Sequence, residues 1–576
     1  MRIVETMKFI RRSLVAIALF ASLNFTSSTF ASPDDNAAGK AALVKDAKSS
    51  DAMLAAKAAA NGDPLLQALI TELERSKAQL KMDQLGAPYY IEYRVSDVED
   101  FTTEAAFGAT REDQRVHVRI LRVVVRLGDY KQDSYFSAGI GGNALLPLDN
   151  DPIALRHQIW LATDEAYKNA GQALTQKQSV LKQFANDDHP VDDFAKAAPV
   201  QLVEPTLSLK ADTDAWKKTL EAVSNLYREY PDIQSVSANA RFTVVNDYLL
   251  NTEGTVTRNG KAVYTVQFAA STQAADGMRL GRTPAWTVAK IEELPAREKL
   301  LQDSKSALET LVALRKAPIV DEEYRGPVLF SPDAADDIVA SLIGGNILGR
   351  KPQLGAPNRT TGSFATSYKS RILPAFVNVV DDPTMKDFQG KSLIGSYDVD
   401  SEGVKAQPVD IVEKGVLTNY LVGRQPIRDF PESNGHGRAG PAAPPVPSLG
   451  VLLLKTSEPQ SPEALKKHVV ELVSNGGQPF GYRVETMAGP APRLLYRVYA
   501  KDGHEELVRG AVFSELDVRA LRSDLSALGN DPLVSNRTGG LPATVISPSL
   551  LFDELQVKRA DTSKDKLPEY PAPPFK

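Results

Sequence analysis

The chain has 576 residues, 43% of them hydrophobic and 24% charged, with 67 Lys and Arg against 72 Asp and Glu. That is ordinary globular composition, and its size suggests two to four domains. It excludes collagen-like, disordered and coiled-coil chains. A formal net charge of −5 without a basic block removes the footprint of a nucleic-acid binder. With no cysteine, disulfides, thiol catalysis, iron–sulfur clusters and Cys-bearing zinc sites are excluded.

Residues 1–31 read as a secretory signal: Lys8, Arg11 and Arg12, then the apolar run Leu14 to Leu23, then Thr29-Phe30-Ala31 before Ser32. The apolar run is too short to span a bilayer, and no later stretch is long enough. The expectation is an exported protein in a bacterial periplasm, without a membrane span once the signal is cleaved. Residues 32–60, rich in Ala, Lys, Asp and Ser, read as a mobile lead-in.

Leu65, Leu69, Leu73 and Leu80 predict an amphipathic helix over 64–81. Alternation predicts strands at 89–95 and 116–127, with a bulge at Ile120-Leu121 and a turn at 109–114. Helical spacing returns over 152–185, and 187–201 reads as a surface connection. A helix at 214–229 precedes three strands, and Asn259-Gly260 signals the hairpin between the last two. A helix over 294–315 closes a first domain, 61–317.

The second domain, 318–560, is strand-rich, with helices near 332–343 and 461–474; a charged, proline-rich tail, 561–576, follows. Without a regular βαβ rhythm the fold class is α+β.

Most motifs fail on context. Gly435 to Gly440 spells G-x-G-x-x-G with neither the strand nor the helix a dinucleotide site needs. Gly344 to Lys351 lacks the Lys-Ser/Thr of a phosphate loop and reads as a helix cap. His504-Glu505-Glu506 has Val508 where a second zinc ligand would stand, and Asp502-Gly503 marks a turn there. His117, His157, His189 and His468 are scattered. Asp381, Asp382, Asp400 and Glu402 stand at strand ends and turns, where carboxylates either bind a cation and polarise a substrate or fix the turns. With His436 and Arg438 they are the candidate catalytic residues, provided that they converge.

VNVVDDPT (377–384), YDVDSEGVKAQPVDIVEKGVLTNYLVG (397–423), SNGHGRAG (433–440) and ISPSLLFDELQVKR (546–559) together resemble the TldD/PmbA family, the "modulator of DNA gyrase" peptidases, across roughly 325–560. Residues 251–278 are consistent with the family's N-terminal domain, and PYYIEY and VRLGDY look like segments of exported relatives. The resemblance implies an N-terminal α/β domain and a β-rich C-terminal domain. It also implies a dimer that handles unfolded or short peptides. Active members hold zinc on an H-E-x-x-x-H helix, with a Cys from a later strand. Aligned here, the two His positions fall on Ala340 and Gly345, the Glu on Ser341 and the Cys near Tyr499. No zinc or other cofactor is therefore expected. The family also includes subunits without the motif that pair with an active TldD-like subunit. The resemblance thus implies a non-catalytic, peptide-binding half of a heterodimer, or a homodimer; the acidic charge balance implies no nucleic-acid partner. The alternatives are a hydrolase working from a different site and an envelope scaffold.

Overall fold

A computed structural model describes residues 60–570 apart from 83–84, 136–140, 183–190, 322, 354–355 and 357, together with Leu54, Lys57 and Ala58. The expected signal, most of the lead-in, His189 and residues 571–576 lie outside the described residues.

Among the described residues, the first half is one sheet under four helices. Helix α1 (Pro64–Gln79) starts where the Asp63 carboxylate accepts the Leu66 N–H at 3.0 Å, an N-cap with Pro in the first turn. Strands β1 (Tyr90–Ala106), β2 (Ala109–Arg126) and β3 (Gly142–Leu146) lead to α2 (Pro152–Leu181). Then come β4 (Gln201–Val203), α3 (Thr213–Ser224), β5 (Ser235–Asn251), β6 (Val256–Gln273), β7 (Arg279–Arg282), β8 (Ala285–Val288) and α4 (Arg297–Lys316). The sheet runs β3-β2-β1-β5-β6-β4, with β7 and β8 also on β6. Period-two alternation divides its faces. Ile91, Tyr93, Val95, Leu121, Val123 and Val125 pack beneath α1 and α2, and Phe101, Phe242, Tyr264 and Phe268 pack beneath α3 and α4. Tyr90, Glu92, Arg94, Arg122 and Arg126 stand on the opposite face, toward the second half, and are buried there as well.

This two-sided burial corrects several expectations. Residues 109–114 lie inside β2; the turn is Phe107-Gly108, both at positive φ. Ile120 and Leu121 pair in regular register with Ser96 and Val95, and the register shifts at Glu104/Ala105 instead. Consecutive apolar residues there reflect two covered faces. Asn259 and Gly260 pair with Asp247 and Asn246 within β6. The hairpin turns at Glu253-Gly254, where Gly254 has φ 102 and the Asn251 side chain accepts the Glu253 and Thr255 N–H groups. Phe194 and Ala195, expected on a surface connection, are 2% and 6% exposed.

The second half is two sheets around one core. The six-stranded sheet runs β14-β13-β10-β17-β25-β24. Its strands are β10 (Val377–Asp381), β13 (Val409–Glu413), β14 (Val416–Leu417), β17 (Val451–Thr456), β24 (Leu533–Arg537) and β25 (Ala543–Ser547). The eight-stranded sheet contains β9 (Glu323–Phe330), β18 (Pro459–Gln460), β19 (Phe480–Ala488), β20 (Ala491–Tyr499) and β21 (Glu505–Val508). It also contains β22 (Ala511–Phe513), β23 (Leu525–Gly529) and β26 (Leu550–Arg559). Its order is β18-β23-β26-β9-β19-β20-β21, with β22 on β26. Two-residue pairs complete the strands: β11 (Asp387–Phe388) with β12 (Lys391–Ser392), and β15 (Gly437–Arg438) with β16 (Val446–Pro447). Val328, Phe330, Tyr482 and Phe552 meet Val379, Ile411, Leu452 and Val545 between the sheets. Helix α5 (Pro332–Ile338) enters that core, α6 (Pro462–Asn475) covers the outer face of the eight-stranded sheet, and α7 (Val518–Ser523) precedes β23. The helix expected over 332–343 is α-helical only to Ile338 and continues as a π-turn, Val339–Ile343, and a 3-10 turn, Gly344–Asn346. Asp502-Gly503 joins β20 to β21 as a turn, as expected.

Candidate functional site

Five of the six candidate residues meet between the six-stranded sheet and the polar face of the first sheet. Asp381 ends β10 and is fully buried. Its carboxylate accepts the Gly450 and Val451 N–H groups at 3.1 Å, and His436 Nε2 lies 3.2 Å from Oδ1. The other ring nitrogen of His436, which is also fully buried, is 2.9 Å from the Asn434 carbonyl. Both ring nitrogens therefore face oxygens.

Asp400 closes the turn that follows it, accepting the Glu402 and Val404 N–H groups at 2.9 Å on one oxygen and Gly437 N–H at 2.9 Å on the other. Burial, then the Glu402 charge, raises its pKa to about 8 against these three donors. Glu402 is also raised, chiefly by burial, and accepts the Arg424 N–H at 2.6 Å. A Cβ on Gly437 would sit 1.9 Å from Glu402 Oε2, and one on Gly423 2.5 Å. Close packing of a carboxylate between two backbones thus requires the glycine of the His-Gly-Arg segment.

Arg438 donates to the Leu449 carbonyl and lies over the Tyr397 ring at 4.9 Å. The Lys261 ammonium approaches the same ring at 5.2 Å. Burial, then repulsion from Arg438, brings Lys261 down to about 8. Asp382 stands apart: it accepts the Thr384 N–H at 3.0 Å and hydroxyl at 2.6 Å, which fixes a turn.

Sequence reasoning missed the largest fully buried side chain, Arg424. Its guanidinium donates to the Ala195 carbonyl at 2.7 and 2.9 Å, pairs with Glu253 at 2.8 Å and stacks on Phe194 at 4.0 Å. Beside it Arg126 pairs with the fully buried Asp133 at 2.7 Å. No local pattern marks an arginine whose partners lie in another domain.

The positions aligned with the zinc ligands do not fit the ion. Ala340 and Gly345 carry no donor atom. The Ser341 hydroxyl donates to the Asp337 carbonyl at 2.7 Å, and the Tyr499 hydroxyl donates to Glu506 at 2.7 Å. Among the described residues no group of three or more His, Cys, Asp or Glu is arranged to hold a metal.

Residues 323–559 match the family model for the PmbA/TldA metallopeptidase C-terminal domain. The second half of the chain thus carries a C-terminal domain of the PmbA/TldD type. A metalloprotease of Methanocaldococcus jannaschii is 30% identical over 119 residues, 20% of this chain and 25% of that protein. A metalloprotease of Methanothermobacter thermautotrophicus is 31% identical over 112 residues, 19% and 23% of the two chains. The chain thus spans about a quarter of the length of these curated relatives. Among solved structures, TldE of Thermococcus kodakarensis is similar with a TM-score of 0.57 and 14% identity, covering 86% of this chain and 100% of that one. A Thermotoga maritima protein described as a modulator of a DNA gyrase gives 0.55 and 17%, covering 81% and 96%. These likenesses extend the PmbA/TldD-type α+β fold over both halves.

Proposed function

We propose that this protein, with its PmbA/TldD-type C-terminal domain, is an exported, non-catalytic subunit that binds extended peptide and pairs with a TldD-like partner or a second copy of itself. One observation carries the reading: the positions aligned with the zinc ligands offer two residues without donors and two hydroxyls already committed to protein acceptors. Metal chemistry needs three or four converging donors. The fold likeness to TldE agrees with a subunit role. Outermost strands such as β21 and β24 leave backbone groups for an added strand. The buried cluster of Asp381, Asp400, Glu402, His436 and Arg438 does not favour the hydrolase reading, because its hydrogen-bonding atoms face the protein's own backbone and side chains.

Metal analysis of the purified protein, with a peptide-cleavage assay in the presence and absence of a chelator, tests the reading. Substoichiometric zinc and no cleavage are expected. Stoichiometric zinc with chelator-sensitive cleavage would overturn it. Co-purification with a TldD-like subunit, or self-association, distinguishes the two partners.

A further inference from the structure

Helix α2 buries one side, through Leu155, Ile159, Ala162 and Ala166, in the core over the first sheet. Its outward side is apolar as well. Ile153 is 80% exposed, Trp160 42% and Leu161 44%, and the His157 ring lies against Trp160 with centroids 5.5 Å apart. Ile153, His157, Trp160 and Asp164 follow one another at three or four residues, so they form one stripe. Scattered exposed apolar side chains are ordinary, whereas a contiguous stripe marks an interaction surface.

The stripe borders a groove between α1 and α2, which Trp160 divides into two clefts. One, of about 310 Å³, is lined by Glu72, Arg75, Ile153, Arg156 and His157; the other, of about 160 Å³, reaches Gln79, Leu80 and Asp164. At the floor the fully buried Glu72 accepts Arg156 at 2.7 Å and Arg75 at 3.1 Å. The charged groups of the floor are thus answered within the chain, and what remains uncovered is the apolar stripe.

Charge selects what covers it. Arg156 stands four residues before Trp160 and Asp164 four after, each with its side chain 43% exposed. A second copy laid antiparallel about a two-fold axis at Trp160 sets Arg156 of each copy against Asp164 of the other. A parallel copy would oppose like charges. Both residues also pair within their own chain, with Glu72 and Lys168, so the crossed pairs fix register while the apolar stripe supplies affinity.

We propose that α2 is a self-association face, on which two copies cross antiparallel at Trp160 and each lays Ile153 and Trp160 along the α1–α2 groove of the other. The proposal rests on the pairing stated under the proposed function and selects the second copy as the partner.

The full chain is studied by light scattering at micromolar concentration, and a dimer is expected. Ile153→Asp and Trp160→Glu should each weaken it roughly tenfold or more with the circular dichroism spectrum unchanged. Asp164→Arg, which sets arginines together, should weaken it too. The chain has no cysteine, so Trp160→Cys gives a single thiol that a short bismaleimide should join to its counterpart; Lys501→Cys, on the turn between β20 and β21, should stay unjoined. A dimer that survives either Ile153→Asp or Trp160→Glu, or a Trp160→Cys chain that does not cross-link, overturns the proposal and leaves self-association to another face. A chain that stays monomeric overturns it as well and leaves the heterodimer reading, which the zinc and cleavage measurements test separately. If the same substitutions instead break a complex with a TldD-like subunit, the face belongs to that partner and the second copy is overturned.

Discussion

At the residue scale, the His-Gly-Arg segment and its acidic neighbours share buried hydrogen bonds that close turns and strand ends. Replacing Asp381 by Ala would leave two backbone N–H groups and His436 facing a void. We expect a loss of about 3–5 kcal/mol, read by chemical denaturation. A cost below ~1 kcal/mol would mean that the carboxylate is not structural. Asp400 and Glu402 make a second prediction. Their folded pKa values lie above the unfolded ones, so the folded chain holds more protons. The contribution of Asp400 is complete below about pH 4 and is lost as pH rises through about 8, and that of Glu402 is lost in the same direction as pH rises. Glu402→Gln removes one titrating group and its charge on Asp400, so the fall in stability between pH 5 and 8 should become shallower. An unchanged slope in parallel denaturation series refutes the assignment. The residue types of this cluster were legible in the sequence. The pairing was not, because His436 and Asp381 are 55 residues apart and only packing sets their contact.

At the element scale, the expected helices begin within three residues of where they were placed, whereas of two turn signals Asp502-Gly503 held and Asn259-Gly260 did not. Asp63, Asp151, Asp212 and Ser461 each cap a helix through a local side-chain bond, and sequence contains everything such a bond needs. A hairpin is settled by register over the whole strand pair. Asn259-Gly260 has the composition of a tight turn yet lies inside β6, where Asn259 Oδ1 is buried without a partner among the described residues. Asn259→Thr should therefore be neutral or stabilising within about 0.5 kcal/mol, since a β-branched residue suits a strand. Gly254→Ala should cost about 1–2 kcal/mol, because φ 102 is closed to a Cβ. Thermal melts of the two variants should separate in that direction; the reverse order would place the turn at Asn259. The π-turn after α5 was equally hidden, since the residues from Val339 to Ile343 form a good α-helical sequence.

At the scale of the whole molecule, the two halves are joined by charge as well as apolar contact. Arg424 of the second half is enclosed by Ala195, Phe194 and Glu253 of the first. Removing one partner of a buried ion pair leaves the other uncompensated. Arg424→Ala should lower stability by about 3–5 kcal/mol and expose residues 191–200 to limited proteolysis. If the variant melts in two steps where the parent melts in one, Arg424 couples the halves. Full stability would show that apolar packing alone holds them together.

Sequence alone determined the fold class, the family resemblance of the second half, the positions of the helices and the apolar faces, because periodicity and linear motifs are local. Tertiary structure alone decided which charged residues lose contact with water. Arg94 meets a carbonyl 349 residues away, and Arg424 one 229 residues away. Burial of a charge depends on what the opposite layer places against it, and no neighbouring residue in the chain encodes that.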